Sequence, residues 1–239
     1  MSGQGKILKG KFVERPNRFL AKVDIKGKTV ESFVPNPGRM HEFMIPGKSV
    51  FLRENTAPHR KTNYDMIGVF HDGIFVSIDS TLPNRFVRRL LERRSLSYFP
   101  PYDKIISEPR YYQGRFDFRL EGEDNITLIE VKSCTLVENG HALFPDAPTL
   151  RGTRHMMHLI RALEEGITTK AAVIFVIQRP DAITFSPHDG NDPAFGNALR
   201  AAFDSGIDVI PLTARVVDWD LHLQERIPFI RGPLDFNNS

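Results

Sequence analysis

The chain has 239 residues, of which 41% are hydrophobic and 26% charged, and these proportions exclude a disordered or fibrous protein. Its length predicts one large domain or two small ones. The single cysteine, Cys134, rules out an intramolecular disulfide framework, and the longest apolar run, residues 171–177, falls far short of the roughly 20 residues that cross a bilayer. Because the first ten residues do not resemble a secretory signal, we expect a cytoplasmic protein.

Positive charge is concentrated in the first third of the chain. Residues 1–80 carry a formal charge of +5 and residues 81–239 a charge of −2, whereas the whole chain has +3. This asymmetry predicts either an N-terminal surface that binds an anion or a mildly basic face exposed to solvent.

Residues 1–80 have the pattern of a small β-barrel. Short alternating runs at residues 18–25, 48–53 and 66–70 predict strands, and turn-forming residues separate them at close intervals. About five strands in this length fit an OB-fold. We therefore place an OB-fold nucleic-acid-binding domain at residues 1–80.

From Thr81 onward strands alternate with helices, which predicts a second, α/β domain over residues 81–239. The predicted helices are residues 81–91, 152–165 and 193–205, and the predicted strands are residues 115–120, 126–132, 171–177 and 208–210.

Three charged residues mark a candidate catalytic site in this second domain. Alternation in strand 115–120 turns Asp117 away from Phe116 and Phe118, while Glu130 and Lys132 share one face of strand 126–132. Two carboxylates on neighbouring strands suit Mg²⁺ or Mn²⁺, and Lys132 would orient a water or stabilise negative charge during phosphodiester hydrolysis. The pattern resembles the PD-(D/E)XK nuclease superfamily. The alternative is a surface salt bridge between Glu130 and Lys132, with Asp117 in solvent.

Other polar residues are weaker candidates for the same site. Glu108 is favoured slightly over Glu92 as an additional carboxylate and metal ligand, and solvent exposure is the alternative for both. Gln178 follows the apolar strand 171–177 and is a candidate catalytic residue, although capping a strand end is the commoner use of such a residue.

The start of helix 152–165 carries a basic cluster. Arg151, Arg154 and His155 are candidate phosphate contacts, with simple solvent exposure as the alternative. His155 and His158 share a helix face, which leaves zinc binding as a further, less favoured interpretation.

The N-terminal domain combines cations with aromatic residues, as single-strand-binding OB-folds do. Phe19, Phe33 and Phe43 lie near basic residues, although most of these rings are expected in the barrel core. The predicted nucleic-acid-binding residues of this domain are Arg15, Asn17, Arg18, Phe19, Arg39 and Lys61.

Taken together, these segments resemble the sugar fermentation stimulation protein A family. The resemblance rests on residues 15–19, 34–40, 60–62, 78–79, 83–84, 115–118, 130–133, 135–136, 144–149, 151–152, 155, 175 and 178–179. It covers nearly the whole chain. The sequence departs from the family pattern at Pro37, where threonine is usual, and at Gly114, where serine is usual.

The resemblance implies a two-domain α+β and α/β architecture, in which an N-terminal OB-fold β-barrel precedes a PD-(D/E)XK restriction-endonuclease-like α/β domain. It also implies binding of DNA, single- or double-stranded, with low sequence specificity, and a link to the regulation of maltose and other sugar metabolism genes. We therefore rank DNA binding first and an active Mg²⁺-dependent nuclease second. A small-molecule sensor has no motif in its support, and the oligomeric state is left open, a homodimer included.

Overall fold

The computed structural model describes residues 5–36, 38–55 and 57–232, so Pro37 lies outside the described residues. By packing, the chain divides into two units. The first contains the described residues up to Leu82 together with residues 215–220, and the second contains residues 83–214 and the described residues from Leu221 onward. The sequence-based division differs at two points, because it assigned residues 81–82 and residues 215–220 to the second domain.

The first unit is an OB-fold with a closed five-stranded barrel. Its strands are β1 (Ile7–Asn17), β2 (Leu20–Ile25), β3 (Lys28–Phe33), β4 (Ser49–Glu54), β5 (Tyr64–His71) and β6 (Ile74–Ser77). They lie in the order β3-β2-β1-β4-β5-β6. A parallel pairing of Phe33 with Asp65 joins β3 to β5, so strands β1 to β5 form the closed barrel and β6 extends the sheet beyond β5. The fold class predicted for residues 1–80 is thus confirmed.

Apolar residues from alternate strand positions fill the barrel. Phe12, Val23, Leu52 and Met66 are among the buried residues of this core, and so is Phe43. Phe43 is therefore a core ring, as expected for most aromatic residues of this domain. On the same unit, the indole of Trp219 packs against the rings of Phe51 and Phe75, at centroid distances of 4.9 and 5.8 Å.

The second unit is built on a six-stranded mixed sheet. Its helices are α1 (Leu82–Glu92), α2 (Leu150–Glu164) and α3 (Pro193–Asp204). Its strands are β7 (Lys104–Ser107), β8 (Arg110–Tyr111), β9 (Gly114–Arg115), β10 (Phe118–Glu121), β11 (Ile126–Cys134), β12 (Val137–Glu138), β13 (His141–Phe144), β14 (Lys170–Ile177), β15 (Thr184–Pro187), β16 (Asp208–Val217) and β17 (Asp220–Arg226). The sheet order is β17-β16-β14-β11-β10-β7, with β11, β14 and β16 parallel and β10 antiparallel to both of its neighbours.

Strand β14 explains the long apolar run of the sequence. Residues 171–177 are all buried, because a parallel strand in the middle of a sheet is covered on both faces. Phe175 packs against the rings of Phe144, Phe185 and Phe195, and Phe195 belongs to α3. Helices α2 and α3 start at the capping side chains of Thr149 and Asp192, which accept from Gly152 N and Phe195 N.

Most of the long elements agree with the sequence-based assignment, but strand 115–120 is wrong as predicted. The strand is interrupted at residues 116–117, between β9 and β10. The Asp117 carboxylate accepts a hydrogen bond from Val131 N at 2.7 Å, so a side chain takes the donor of β11 that a continuous strand would pair through its backbone. The predicted strand 208–210 is also too short, since β16 extends to Val217.

In the described part of the chain, no helix has the length and apolar character needed to span a membrane.

Candidate functional site

Glu130 lies at the centre of the candidate site. It sits on β11 between β10 and β14, and only 3% of its surface is exposed. Its Oε1 accepts from Lys132 Nζ at 2.6 Å and from His155 Nδ1, while Oε2 is buried and has no hydrogen-bond partner. The predicted pair of Glu130 and Lys132 therefore exists, but it is buried, and the alternative of a surface salt bridge is wrong.

Asp117 faces this carboxylate from the neighbouring segment. The pairing of Phe118 with Ile129 brings Asp117 opposite Glu130 on β11. Its Oδ1 accepts from Asn84 Nδ2 at 2.5 Å and its Oδ2 from Val131 N. Asn84 belongs to the first turn of α1, so the site draws on a helix and on two strand segments.

The two carboxyl groups have opposite pKa shifts. Burial, and next the nearby charge of Glu130, raise the pKa of Asp117 from 3.8 to about 6. Burial alone would also raise the pKa of Glu130, but the hydrogen bond from His155 and the charge of Lys132 outweigh it and lower that pKa. Two carboxylates this close repel each other, and a cation between them would relieve the repulsion.

The residues present fit a hard divalent cation of the Mg²⁺ type. Within the described ranges there is no group of three or more His, Cys, Asp or Glu side chains that could hold a metal. Mg²⁺ commonly uses only one or two carboxylates and completes its octahedron with waters and substrate phosphate oxygens. The partnerless Oε2 of Glu130 is the oxygen that such an ion would satisfy.

Two of the weaker candidates lie beside the site without joining it. Glu108 donates its backbone N–H to the Asp117 carbonyl at 2.9 Å, but its carboxylate is exposed and pairs with Arg115. Glu92 pairs with Arg88 on the exposed side of α1. Neither side chain is brought into the group around Glu130, so the assignment of Glu108 as a metal ligand finds no support in the geometry.

Gln178 is fully buried directly after β14. Its Nε2 donates to Ser133 Oγ at 2.9 Å, while its Oε1 is buried without a hydrogen-bond partner. Its backbone N–H donates to the Cys134 carbonyl and so continues the pairing of β14 with β11. The side chain therefore contacts the residue that follows Lys132, and its catalytic role stays a prediction.

The first turns of α2 separate the three residues that were predicted to contact phosphate. Arg151 and Arg154 are exposed, whereas His155 is buried and holds Glu130. The ring of His158 packs against Tyr112 at 5.0 Å, so the two histidines have different partners. The contribution of His155 to the Glu130 site was not foreseen from the sequence.

On the first unit, the predicted nucleic-acid-binding residues divide by role. Arg15 donates from its two terminal nitrogens to the backbone carbonyls of Arg18, Asn36, Gly38 and Arg39. Asn17 accepts from Phe19 N at 2.9 Å and shapes the turn between β1 and β2. These two side chains therefore organise loops, while the exposed Arg39 and Lys61 are directly available to a ligand.

Two aromatic rings of this unit lie parallel at the surface. Phe19 and Phe33 are 47% and 36% exposed, and their ring centroids are 6.2 Å apart at an interplanar angle of 13°. The guanidinium groups of Arg18 and Arg60 lie 5.7 and 5.8 Å from these rings. The sequence places Arg60 among the basic residues near these rings. We call these four residues the aromatic-arginine surface.

Two family models together match most of the chain. Residues 13–78 match "SfsA N-terminal OB domain", and residues 81–219 match "Sugar fermentation stimulation protein RE domain". The chain belongs to the sugar fermentation stimulation protein family. The second model spans every residue of the candidate site, from Asn84 through Asp117, Glu130 and Lys132 to His155.

Relatives with the family name match this chain over most of their length. A sugar fermentation stimulation protein homolog of Clostridium kluyveri is 41% identical over 222 residues, which cover 92% of this chain and 96% of that protein. A homolog of Desulfitobacterium hafniense is 42% identical over 212 residues, covering 89% and 91%. The solved structure of Pyrococcus furiosus SfsA in complex with Ca²⁺ is similar with a TM-score of 0.85 and 27% identity, covering 94% and 96%.

Proposed function

We propose that this protein binds nucleic acid and hydrolyses its phosphodiester bonds in a reaction that depends on a divalent cation. The observation that carries the proposal is the carboxylate pair of Asp117 and Glu130, with a buried oxygen of Glu130 left without a partner beside Lys132. Burying two carboxylates side by side is costly unless their charge has a partner. A bound cation would supply such a partner for both carboxylates.

In this proposal Asp117 and Glu130 hold the cation through their oxygens. When bound, a cation of this type polarises a phosphoryl oxygen and lowers the pKa of a bound water. Lys132 has three N–H donors, of which one is donated to Glu130, and its Nζ also lies 3.5 Å from His155 Nδ1; a remaining donor can orient a water or bind a phosphate oxygen. Asn84 and Val131 N keep the Asp117 carboxylate in place.

Two comparisons support the choice of cation and reaction class. The Pyrococcus furiosus relative was solved with Ca²⁺, a cation that takes oxygen ligands as Mg²⁺ does. The family model that spans the site is described as an RE domain, in agreement with the nuclease-like pattern read from the sequence.

A second candidate function is DNA binding without cleavage, which would suit a regulator of sugar metabolism genes. The aromatic-arginine surface favours binding, because exposed rings beside guanidinium groups are the contacts that single-stranded nucleic acid uses. The link to maltose and other sugar genes stays a prediction. Both candidates share this binding step and differ only in whether the Asp117 site cleaves.

The test is to incubate the full chain with labelled single- and double-stranded DNA and RNA in Mg²⁺, Mn²⁺ or EDTA. We expect cleavage only with a cation. Asp117→Asn and Glu130→Gln abolish it, and Lys132→Ala slows it by about 10²- to 10³-fold, the usual cost of losing one stabilising donor.

Asp124→Asn is the matched control, because this carboxylate is exposed on the turn between β10 and β11. It should cleave like the wild type. Equal residual cleavage by the two carboxylate variants would refute the assignment. Binding without cleavage under every condition would leave the second candidate as the function.

A further inference from the structure

His155 lies inside the candidate site although it is outside the Asp, Glu-x-Lys pattern. Its ring is buried and both ring nitrogens have partners. Nδ1 contacts Glu130 Oε1 and lies 3.5 Å from Lys132 Nζ, while Nε2 contacts Arg151 Nε at 3.4 Å, one helical turn earlier on α2. The edge of the Phe116 ring packs against it at a centroid distance of 6.4 Å.

The two partners determine which nitrogen of His155 carries the hydrogen. A guanidinium has only donors, so the nitrogen that faces Arg151 has to accept. The ionised carboxylate of Glu130 has only acceptors, so it requires the ring hydrogen on Nδ1, and this contact is much shorter than the 3.5 Å between Nδ1 and the Lys132 ammonium. The geometry thus forms a directed chain of hydrogen bonds from Arg151 through His155 to Glu130.

This chain determines how the Glu130 carboxylate is used. Oε1 accepts from both His155 and Lys132, and two donors on one oxygen resist rotation of the carboxylate. The other oxygen, Oε2, then stays without a partner. An intermediate rotation of the carboxylate would break both hydrogen bonds and turn the unoccupied oxygen out of its present position.

We propose that His155 is a positioning residue of the cation site, with its tautomer set by Arg151, and that it keeps Oε2 of Glu130 available to a divalent cation. The inference rests on the proposed function. It replaces a phosphate contact by His155 with a role that suits a buried ring. Hydrogen bonds of this kind to a metal-binding carboxylate or histidine typically alter metal affinity by about 10- to 100-fold.

The first experiment measures cation affinity by calorimetry, using Mn²⁺ or Ca²⁺ alone. His155→Asn places an amide nitrogen where Nδ1 is, whereas His155→Gln places it nearer to Nε2. We expect His155→Asn to bind close to wild type and His155→Gln to bind about 10- to 100-fold more weakly. Thermal unfolding checks that both variants fold.

His158→Asn is the matched control on the same helix, because His158 packs on Tyr112 and not on Glu130. Its cation affinity should equal that of wild type. Equal affinities of His155→Asn and His155→Gln would overturn the positioning role while the proposed function survives. A wild type that binds neither cation would overturn the proposed function and the inference together.

The second experiment needs no cation and reads the tautomer directly. In ¹⁵N-histidine-labelled protein, the His155 signals are identified by their loss in His155→Asn. We expect a protonated Nδ1 and an unprotonated Nε2, with Arg151→Ala shifting the ring towards the other tautomer. A wild-type ring protonated on Nε2 would overturn the assignment.

Discussion

At the scale of single residues, the site separates two neighbouring carboxylates by their surroundings. Glu130 has two donors on one oxygen, and this support keeps it ionised. Asp117 has only an amide and a backbone N–H, both uncharged, and it faces the charge of Glu130. The burial of the ionised form is therefore compensated less well at Asp117 than at Glu130.

The raised pKa of Asp117 predicts a pH-dependent cost to the fold in the absence of a cation. Its folded pKa is about 6 and its ordinary value 3.8, so the folded state binds the proton more tightly than the unfolded state does. The contribution of Asp117 to wild-type stability therefore falls as pH rises through this interval, by up to about 3 kcal/mol. Asp117→Asn has no such loss.

Urea unfolding in EDTA at pH 4 and pH 7.5 measures this difference. The free energy of unfolding of Asp117→Asn minus that of wild type should be larger at pH 7.5 than at pH 4. A hydrogen bond lost through the amide lowers the stability of the variant at both pH values and leaves this change unaffected. Asp124→Asn, an exposed aspartate, serves as the control. A constant difference between Asp117→Asn and wild type would contradict the raised pKa.

Sequence alone identified the charged residues of the site but not their partners. Asp117, Glu130 and Lys132 stand out because charges interrupt apolar strands. His155 joins Glu130 across 25 positions, from a helix to a strand, and no local pattern encodes that contact. The sequence also misleads at Arg15. It was predicted to bind nucleic acid, but its terminal nitrogens donate hydrogen bonds to loop carbonyls.

At the scale of elements, periodicity predicted the strands that are covered on both faces and the helices with capped starts. β11, β14, α2 and α3 agree with the expected ranges within a few residues. The short edge strand β7 and the last strand β17 were missed, because such strands lack a distinctive apolar pattern. The interruption at Asp117 depends on a side chain that replaces a backbone acceptor, which alternation cannot reveal.

The aromatic-arginine surface lies at the β1–β2 turn, the end of β3 and the loop between β4 and β5. It predicts a preference for single-stranded over double-stranded nucleic acid. Bases of a single strand have faces free for stacking, whereas those of a duplex are already stacked. Phe19→Ala should weaken single-stranded DNA binding by about 1–3 kcal/mol, or roughly 5- to 150-fold, and duplex binding less. Fluorescence anisotropy at one fixed salt concentration measures both.

Phe70→Ala is a suitable control for this comparison. Phe70 lies on β5 of the same unit, and its exposure of 38% is between those of Phe19 and Phe33. Its loss should leave single-strand affinity unchanged. An equal loss in Phe19→Ala and Phe70→Ala would mean that ring exposure alone explains the effect, and not this surface.

At the scale of the whole molecule, the two-part composition of the sequence corresponds to two packed units. The change from turn-rich strands to alternating strands and helices predicts a boundary near Thr81, and by packing the first continuous segment of unit one runs to Leu82. The return of residues 215–220 to the first unit could not be predicted, because it is a contact between distant parts of the chain. The basic charge of the first 80 residues lies in the unit with the exposed rings.

Cation binding should stabilise the whole chain if it uses the folded site. At a Ca²⁺ concentration 100 times the dissociation constant, the free energy of unfolding rises by about 2.7 kcal/mol for a single site. Thermal unfolding with and without Ca²⁺ detects this as a higher midpoint for wild type. Glu130→Gln should show little shift and Asp124→Asn the full shift, so equal shifts in all three proteins would place the cation elsewhere.

The packing of Trp219 on Phe51 and Phe75 has a consequence for how the protein is made. The ribosome synthesises residues up to Leu82 roughly 130 residues before it reaches positions 215–220. At about 5–20 residues per second, this separation is a delay on the order of 10 s. During that delay Phe51 and Phe75 lack the indole of Trp219 that packs against their rings in the folded chain. Completion of the first domain therefore waits until residues 215–220 have been translated.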